Sequence, residues 1–212
     1  MKPTLFETLQ FHSGRILFLR EHLERLLRSA GHFKIKRGRV RITLEAYPYI
    51  PPSLYKRGAD LVIARSIRND PPSKSRFKTL PRQMKEMAAG EAKRKKADEA
   101  ILLNKAGRVT ECSSSNIFLV KNKNLITPPL SEGLLDGITR QEVLKIARQL
   151  KIRVRVQPIS LKELFQADEI FITSSLKEIL PVRSIDKKKM GDQVPGRQTH
   201  RLMKAYAKNL RR

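Results

Sequence analysis

The sequence predicts an α+β fold, because stretches with the period of strands and stretches with the period of helices are mixed along the 212-residue chain without regular alternation. A doubly wound parallel sheet would instead require strands and helices to follow each other in strict order. No stretch approaches the eighteen apolar residues of a membrane helix, so we expect no membrane association. Hydrophobic residues make up 40% of the chain and charged residues 31%, which is typical of a folded globular protein.

The first half of the chain contains short predicted strands and one helix. Apolar runs on either side of Gly14 indicate a hairpin, and apolar residues at helical spacing follow it. The predicted elements are strands over 5–11 and 15–19, a helix over 21–30, and strands over 39–44 and 61–64. The prolines of 47–53 indicate a loop. A Pro- and Ser-rich stretch over 69–77 marks a boundary, so the expected domains are 1–70 and 71–212.

The second half is richer in strands. A helix candidate opens it, and a clear amphipathic helix over 139–150 turns Val143, Leu144, Ala147 and Leu150 inward. The predicted elements are helices over 80–96, 139–150, 161–165 and 198–210, and strands over 99–103, 109–111, 116–120, 125–127, 152–156, 169–173 and 179–182.

The charge is strongly basic, with 45 Lys and Arg against 20 Asp and Glu, a net charge of +25. This charge would suit a nucleic-acid or polyanion binder. However, the basic residues are spread along the whole chain, aromatic residues are only 6%, and there is no Trp to stack on bases. A solvated basic surface is therefore favoured, and we expect no nucleic-acid partner.

Cysteine and histidine use also restrict the class of protein. Cys112 is the single cysteine and cannot form an internal disulfide, and the N-terminal residues lack the apolar core of a secretory signal, so a cytoplasmic location is expected. The four histidines do not have metal-ligand spacing with this cysteine.

Three small segments have the chemistry of an anion site. Gly137 directly precedes the amphipathic helix, and the free N–H groups of Ile138 and Thr139 would favour a phosphate. Hydroxyl clusters occupy 173–175 and 112–116, each at a strand end. Taken alone, each segment is as well explained by an ordinary helix cap or polar turn.

The order of the motifs resembles that of the class IV aminotransferases, the fold type IV pyridoxal-phosphate enzymes. This group includes branched-chain and D-amino-acid aminotransferases and aminodeoxychorismate lyases. The resemblance covers most of the chain from Leu5 to Asp186. Its segments are GluHisLeuGluArgLeu, LysThrLeuProArg, ValThrGluCysSerSerSerAsn, LeuIleThrProPro, AspGlyIleThrArg and PheIleThrSerSer. The implied fold has a small N-terminal α/β domain and a larger domain with a β-rich core.

The resemblance assigns a cofactor, pyridoxal 5'-phosphate, and seven residues to bind it. Lys78 would form the Schiff base and then shuttle a proton at the substrate α-carbon. Glu111 would pair with the pyridine nitrogen, and Arg25 would clamp the phosphate. The remaining four, which would complete the phosphate site, are Ser114, Ile138, Thr139 and Ser175. A homodimer is implied as well.

The chain also departs from the family pattern. The stretch between Arg25 and Lys78 is shortened, as though a helix and part of a small-domain sheet were missing between Gly31 and Tyr47. No tyrosine lies shortly after Lys78, which predicts against the branched-chain enzymes. The resemblance leaves open an aminotransferase for an amino acid and 2-oxo acid pair or an aminodeoxychorismate lyase. The alternative is a truncated, non-catalytic descendant that binds the cofactor or a polyanion.

Overall fold

A computed structural model describes residues 3–12, 14–46, 50–68, 77–80 and 82–210. The strands are β1 Thr4–Leu5, β2 Phe11–His12, β3 Arg15–Ile16, β4 Ala59–Arg68, β5 Thr79–Leu80, β6 Glu99–Leu103, β7 Val109–Cys112, β8 Asn116–Lys121, β9 Asn124–Thr127, β10 Val154–Val156, β11 Glu169–Ser174, β12 Glu178–Ile185 and β13 Lys188–Lys189. The helices are α1 Leu19–His32, α2 Pro52–Arg57, α3 Gln83–Arg94, α4 Ile138–Gln149, α5 Leu161–Phe165 and α6 Arg197–Leu210, with a 3₁₀ turn at Leu130–Glu132.

The main sheet is mixed and curls back on itself. Its strand order is β10-β9-β8-β11-β12-β4-β6-β7, with β13 on β12, and only the pairs β10/β9, β12/β4 and β4/β6 are parallel. The edge strand β7 and the inner strand β8 are joined by only three residues, 113–115. Because so short a link cannot cross a flat sheet, the sheet must curl to bring both strands together. The mixed sheet confirms the predicted α+β class.

Helices α3, α4 and α6 pack on the sheet through apolar faces that differ in the size of their contacts. α4 and α6 pack on Phe118 and Phe171, whose rings stack with centroids 4.9 Å apart. α3 instead presents Ala88 and Ala92, four residues apart, to the small side chain of Ala100. Small residues on both sides allow this helix to lie close to β4 and β6. The helix that carries Lys85 is therefore held firmly over the sheet.

The predicted helix near the N-terminus forms as α1, and its buried face is polar. His22, Arg25 and Ser29 are buried, whereas the side chains of Leu23 and Leu27 are 49% and 70% exposed. Burying polar side chains without hydrogen-bond partners would cost free energy, so this face must contact other polar groups inside the fold. Those groups belong to the cavity described below.

Two predictions for residues 39–53 are wrong. The segment 39–44 is not a strand: Ile42 is 91% exposed, and none of the described residues pairs with this segment. Its alternation of basic and apolar residues is typical of a strand, but a strand requires a hydrogen-bonded neighbour. Within the expected loop over 47–53, of which 47–49 lie outside the described residues, Pro52 begins α2. Proline suits the first turn of a helix, because no intrahelical N–H bond is lost there.

The predicted hairpin is reduced to the two-residue strands β2 and β3, and the predicted strand over 5–11 is interrupted, since only its two ends lie in strands, β1 and β2, of different sheets. The remaining predicted helices and strands form with shifts of a few residues at their ends. The division into 1–70 and 71–212 stays a prediction, and most of its boundary stretch, 69–76, lies outside the described residues. β4, which precedes residue 70, is an inner strand of the main sheet. None of the described helices combines the length and the hydropathy that crossing a bilayer requires.

Candidate active site

A cavity of about 220 Å³ lies between the ends of β7 and β11 and the start of α4. All seven residues that the resemblance assigns to the cofactor line it, although they come from five separate segments of the chain. They are Arg25, Lys78, Glu111, Ser114, Ile138, Thr139 and Ser175. The structure therefore brings the predicted site residues together, while the role of each stays a prediction.

Lys78 lies at the wall of this cavity, directly before β5. Its carbonyl accepts a hydrogen bond from the backbone N–H of Phe6 at 3.1 Å, and its Nζ lies 4.9 Å from the centroid of the Phe6 ring. Burial, followed by the charge of Arg25, lowers the pKa of Lys78 to about 7, against a smaller opposing effect of Glu7. A lysine with this pKa is largely uncharged just above neutrality, which makes its amine available as a nucleophile or a base.

Arg25 is fixed by two groups from distant parts of the chain. Its guanidinium forms an ion pair with Glu7, with Nε donating to Oε1 at 2.8 Å, and its Nη1 donates to the carbonyl of Asp136 at 2.9 Å. Burial would raise the pKa of Glu7, but hydrogen bonds from Arg25 and His22 outweigh it and lower that pKa to about 2. These contacts use three of the five N–H donors of Arg25, so the side chain can donate further hydrogen bonds.

Glu111 is a buried carboxylate of β7 with fixed partners. The Nζ of Lys85 lies 2.8 Å from its Oε1, and the backbone N–H of Leu135 donates to its Oε2 at 3.2 Å. A charged partner and an N–H donor both favour the ionised form of a carboxylate. Glu111 can therefore present negative charge to a group in the cavity.

The start of α4 forms the other end of the cavity. Ile138 and Thr139 are in its first turn, where backbone N–H groups have no helical acceptor. The hydroxyl of Thr173 is buried and has no hydrogen-bond partner among the residues that the structure describes. The Ser175 hydroxyl lies 3.4 Å from the ring Nε2 of His22. Unused donors around a helix N-terminus are suited to an anion with several oxygens, such as a phosphate.

Position 137 needs a glycine because a neighbouring side chain leaves no room for a Cβ, and not because of its backbone angles. Its φ is −72°, which any residue adopts, but a Cβ at this position would lie 2.0 Å from the side-chain oxygen of Asn116. Asn116 donates in turn to the carbonyl of Leu135 at 2.9 Å. This close approach joins the start of β8 to the start of α4.

Gly137→Ala should therefore destabilise the protein, because Asn116 or the start of α4 has to move. We expect the free energy of unfolding to fall by about 1–3 kcal/mol, the usual cost of overpacking. The matched control is Gly90→Ala in α3, where the new Cβ would meet only the end of Arg94, at 3.7 Å. That change should be neutral or stabilising. Denaturant unfolding measures both, and equal effects in the two variants would contradict the prediction.

The loop 113–115, which carries the predicted Ser114, is held by a buried ion pair. Glu99 accepts hydrogen bonds from the Ser115 hydroxyl at 2.5 Å and the Ser114 N–H at 2.9 Å, and from Lys177 Nζ at 2.5 Å. Lys177 also donates to the Ser114 hydroxyl at 2.9 Å. Burial would raise the pKa of Glu99, but Lys177 and the other donors lower it. The loop is therefore fixed in place beside the cavity.

Sequence reasoning missed the charged residues that hold this site. Glu7 stands in the PheGluThr segment, but nothing in one sequence indicates that it pairs with a helix residue 18 positions away. Arg82 and Lys85 follow Lys78 by four and seven residues, and only the observed start of α3 shows that both line the cavity. Glu99 and Lys177 are 78 residues apart, so their pairing depends entirely on the curl of the sheet.

Comparison with known proteins adds to this geometry. The family model described as amino-transferase class IV matches residues 34–185. A putative branched-chain-amino-acid aminotransferase of Methanocaldococcus jannaschii is 34% identical over 208 residues, which are 97% of this chain and 72% of the relative. A probable branched-chain-amino-acid aminotransferase of Thermotoga maritima is 44% identical over 108 residues, 51% of this chain and 40% of the relative.

Solved structures of such enzymes resemble most of the chain. A putative branched-chain amino acid aminotransferase from Thermotoga maritima has a TM-score of 0.82 at 29% identity, covering 96% of this chain and 84% of that one. A T.th. branched-chain amino acid aminotransferase, solved with pyridoxamine 5'-phosphate, has a TM-score of 0.69 at 31% identity, covering 74% of this chain and 53% of that one. These likenesses confirm the predicted fold type IV.

The names of these relatives can be compared with the expected enzyme subgroup, and their lengths with the length of this chain. All four are named branched-chain aminotransferases, the subgroup against which the lack of a nearby tyrosine after Lys78 predicts. The chain spans between 40% and 72% of the length of the two curated relatives it matches here. With a family model over most of its length and a relative aligned over almost all of it, the chain belongs to the class IV aminotransferase family.

Proposed function

We propose that this chain is a pyridoxal-phosphate-dependent aminotransferase that exchanges amino groups between a branched-chain amino acid and a 2-oxo acid. The observation that carries the proposal is the position of the half-buried Lys78 side chain. It shares one cavity with the carboxylate of Glu111 and with the start of α4. The names of the relatives favour transamination over the elimination that a lyase performs.

The residues of the cavity fit the proposed cofactor. The unpartnered Thr173 hydroxyl, the first turn of α4 and Ser175 offer donors for a phosphate, and Arg25 has N–H groups to spare. The carboxylate of Glu111, paired with Lys85, matches a ring nitrogen that must keep its proton. The donors and charges thus match the two ends of pyridoxal phosphate, and Lys78 would hold its aldehyde end.

The chain's own side chains supply binding, orientation and proton transfer. When bound, pyridoxal phosphate supplies an electrophilic carbon and a ring that withdraws electrons from the substrate α-carbon. Lys78, with a pKa of about 7, can accept a proton from that carbon and return it elsewhere. Glu111 would stabilise positive charge on the ring nitrogen, and its ion pair with Lys85 holds Glu111 in place. Arg25 and α4 fix the phosphate, so the reacting groups stay aligned.

The shortened segment between Arg25 and Lys78 would contribute to the substrate pocket, and part of it has no regular secondary structure in this chain. Among the described residues, no helix or strand lies between the end of α1 and the start of α2. A descendant that no longer bound the cofactor would not need matched charges around this cavity, whereas here Glu111, Arg25 and Glu99 each have a buried or half-buried partner. We favour an active enzyme for that reason. The homodimer stays a prediction, and the exposed Leu23 and Leu27 of α1 are compatible with it.

The test is to load the purified protein with pyridoxal phosphate and follow it in the visible range. We expect a yellow protein whose absorbance borohydride abolishes, and amino transfer from leucine to 2-oxoglutarate. Release of product from aminodeoxychorismate, without transfer from leucine, would favour a lyase instead. A protein that remains colourless after reconstitution would contradict the proposed enzyme.

A further inference from the structure

Positive charge exceeds negative charge at the wall of the cavity. Four cationic side chains line it, and Glu111 is the only carboxylate among the described lining residues. Two of the cations are neutralised locally, because Lys85 pairs with Glu111 and Arg25 pairs with Glu7. Lys78 has a pKa of about 7 and loses its charge near neutrality. Arg82 is the remaining cation, and it is permanently charged.

Arg82 is held in place without being neutralised. Its guanidinium carbon lies 5.5 Å from the centroid of the Phe6 ring, and its Nη2 donates to the carbonyl of Ser113 at 3.3 Å. No carboxylate forms an ion pair with it among the residues that the structure describes. A ring face and one carbonyl orient the planar fork but leave most of its N–H donors unused. Such a fork matches the two oxygens of a carboxylate.

The position of Arg82 places this fork beside the reactive amine. Lys78 Nζ approaches the same Phe6 ring, at 4.9 Å from its centroid. Arg82 also contributes to the low pKa of Lys78, after burial and Arg25. A substrate whose α-carbon comes within reach of Lys78 would therefore bring its carboxylate close to Arg82. Amino acids and 2-oxo acids all carry such a group.

We propose that Arg82 binds a carboxylate of the substrate. The proposal rests on the proposed function for the identity of the substrate and adds the residue that recognises it. Two carboxylates could be the one bound: the α-carboxylate that every substrate carries, or the distal carboxylate of a dicarboxylic partner such as 2-oxoglutarate. The recognition chemistry is the same for both, and they can be told apart with ligands that carry one or two carboxylates.

The test measures binding by isothermal titration calorimetry, with protein that has been incubated with pyridoxal phosphate. The ligands are 4-methylvalerate, with one carboxylate, and glutarate, with two. In Arg82→Gln we expect the Kd to rise about 10- to 100-fold, since a charge-assisted bidentate contact is lost. Arg82→Lys should be intermediate, because it keeps the charge without the fork. The control Arg94→Gln, an exposed arginine of the same helix, should stay within about twofold of wild type.

Each outcome has a defined meaning. An equal loss of affinity for both ligands assigns Arg82 to the α-carboxylate. A loss of affinity for glutarate alone assigns Arg82 to the distal carboxylate. Unchanged affinity for both ligands overturns the proposal, and so does a wild-type protein that binds neither. If Arg82→Gln lowered the affinity for inorganic phosphate but not for the carboxylates, Arg82 would belong to the phosphate site, and the proposal would also be overturned. Colour and turnover are measured separately, so a failure of the proposed enzyme is distinguishable from a failure at Arg82.

Discussion

Lys78→Met should abolish amino transfer and the borohydride-sensitive absorbance while leaving the protein folded. Methionine has similar length and suits a buried position, so the change removes the amine with little disturbance of packing. We expect turnover to fall at least about 10³-fold, as it does when the nucleophile of other enzymes is removed. Steady-state kinetics and visible absorbance check the result. The matched control is Lys208→Met, an exposed lysine of α6, which should keep wild-type turnover.

The same variant has a second effect that does not depend on cofactor. The pKa of Lys78 is about 7 in the folded protein and near its ordinary value of 10.5 when unfolded. The unfolded chain therefore binds more protons between these values, and stability must rise with pH across this window. For Lys78 the rise between pH 7 and pH 9 is about 2 kcal/mol. Lys78→Met should remove this part of the slope, and an unchanged slope would show that the amine is not buried.

Sequence alone anticipated the parts of the site that lie in short, ordered motifs. Gly137, Ile138 and Thr139 are neighbours in the chain, so one helix start positions all three. The segments that carry Lys78 and Glu111 were assigned by their resemblance to the motifs of the class IV aminotransferases. Local geometry and motif order thus predicted which groups meet in the cavity, and the structure places them there.

The residues that escaped prediction act across long separations. Glu99 pairs with Lys177 because the curled sheet closes, and Glu7 pairs with Arg25 because α1 packs beside the segment that follows β1. Neither pair has a local signal in the sequence. The leucines of α1 show a further limit, since helical spacing of apolar residues indicates a helix but not which face is buried. Its buried face is polar because that face points to the ion pairs of the site.

Glu111→Gln should lower turnover about 10- to 100-fold, the effect of losing one charge-assisted hydrogen bond in the rate-limiting state. Glutamine keeps the size of the side chain and can still accept from the N–H of Leu135, but it cannot hold a proton on a ring nitrogen by charge. It also leaves Lys85 without its carboxylate, which should reduce the free energy of unfolding by about 1–3 kcal/mol. Glu86→Gln, on the exposed face of α3, is the control.

A double variant separates the two roles of Glu111. In Glu111→Gln with Lys85→Met, no unpaired cation remains from this pair, so the free energy of unfolding should return towards the wild-type value. Turnover should stay low, because the ring nitrogen still lacks its carboxylate. If turnover recovered together with stability, Glu111 would serve only to neutralise Lys85. Denaturant unfolding and steady-state kinetics on the same preparations therefore decide whether the buried carboxylate of β7 acts on the cofactor or only on its neighbour.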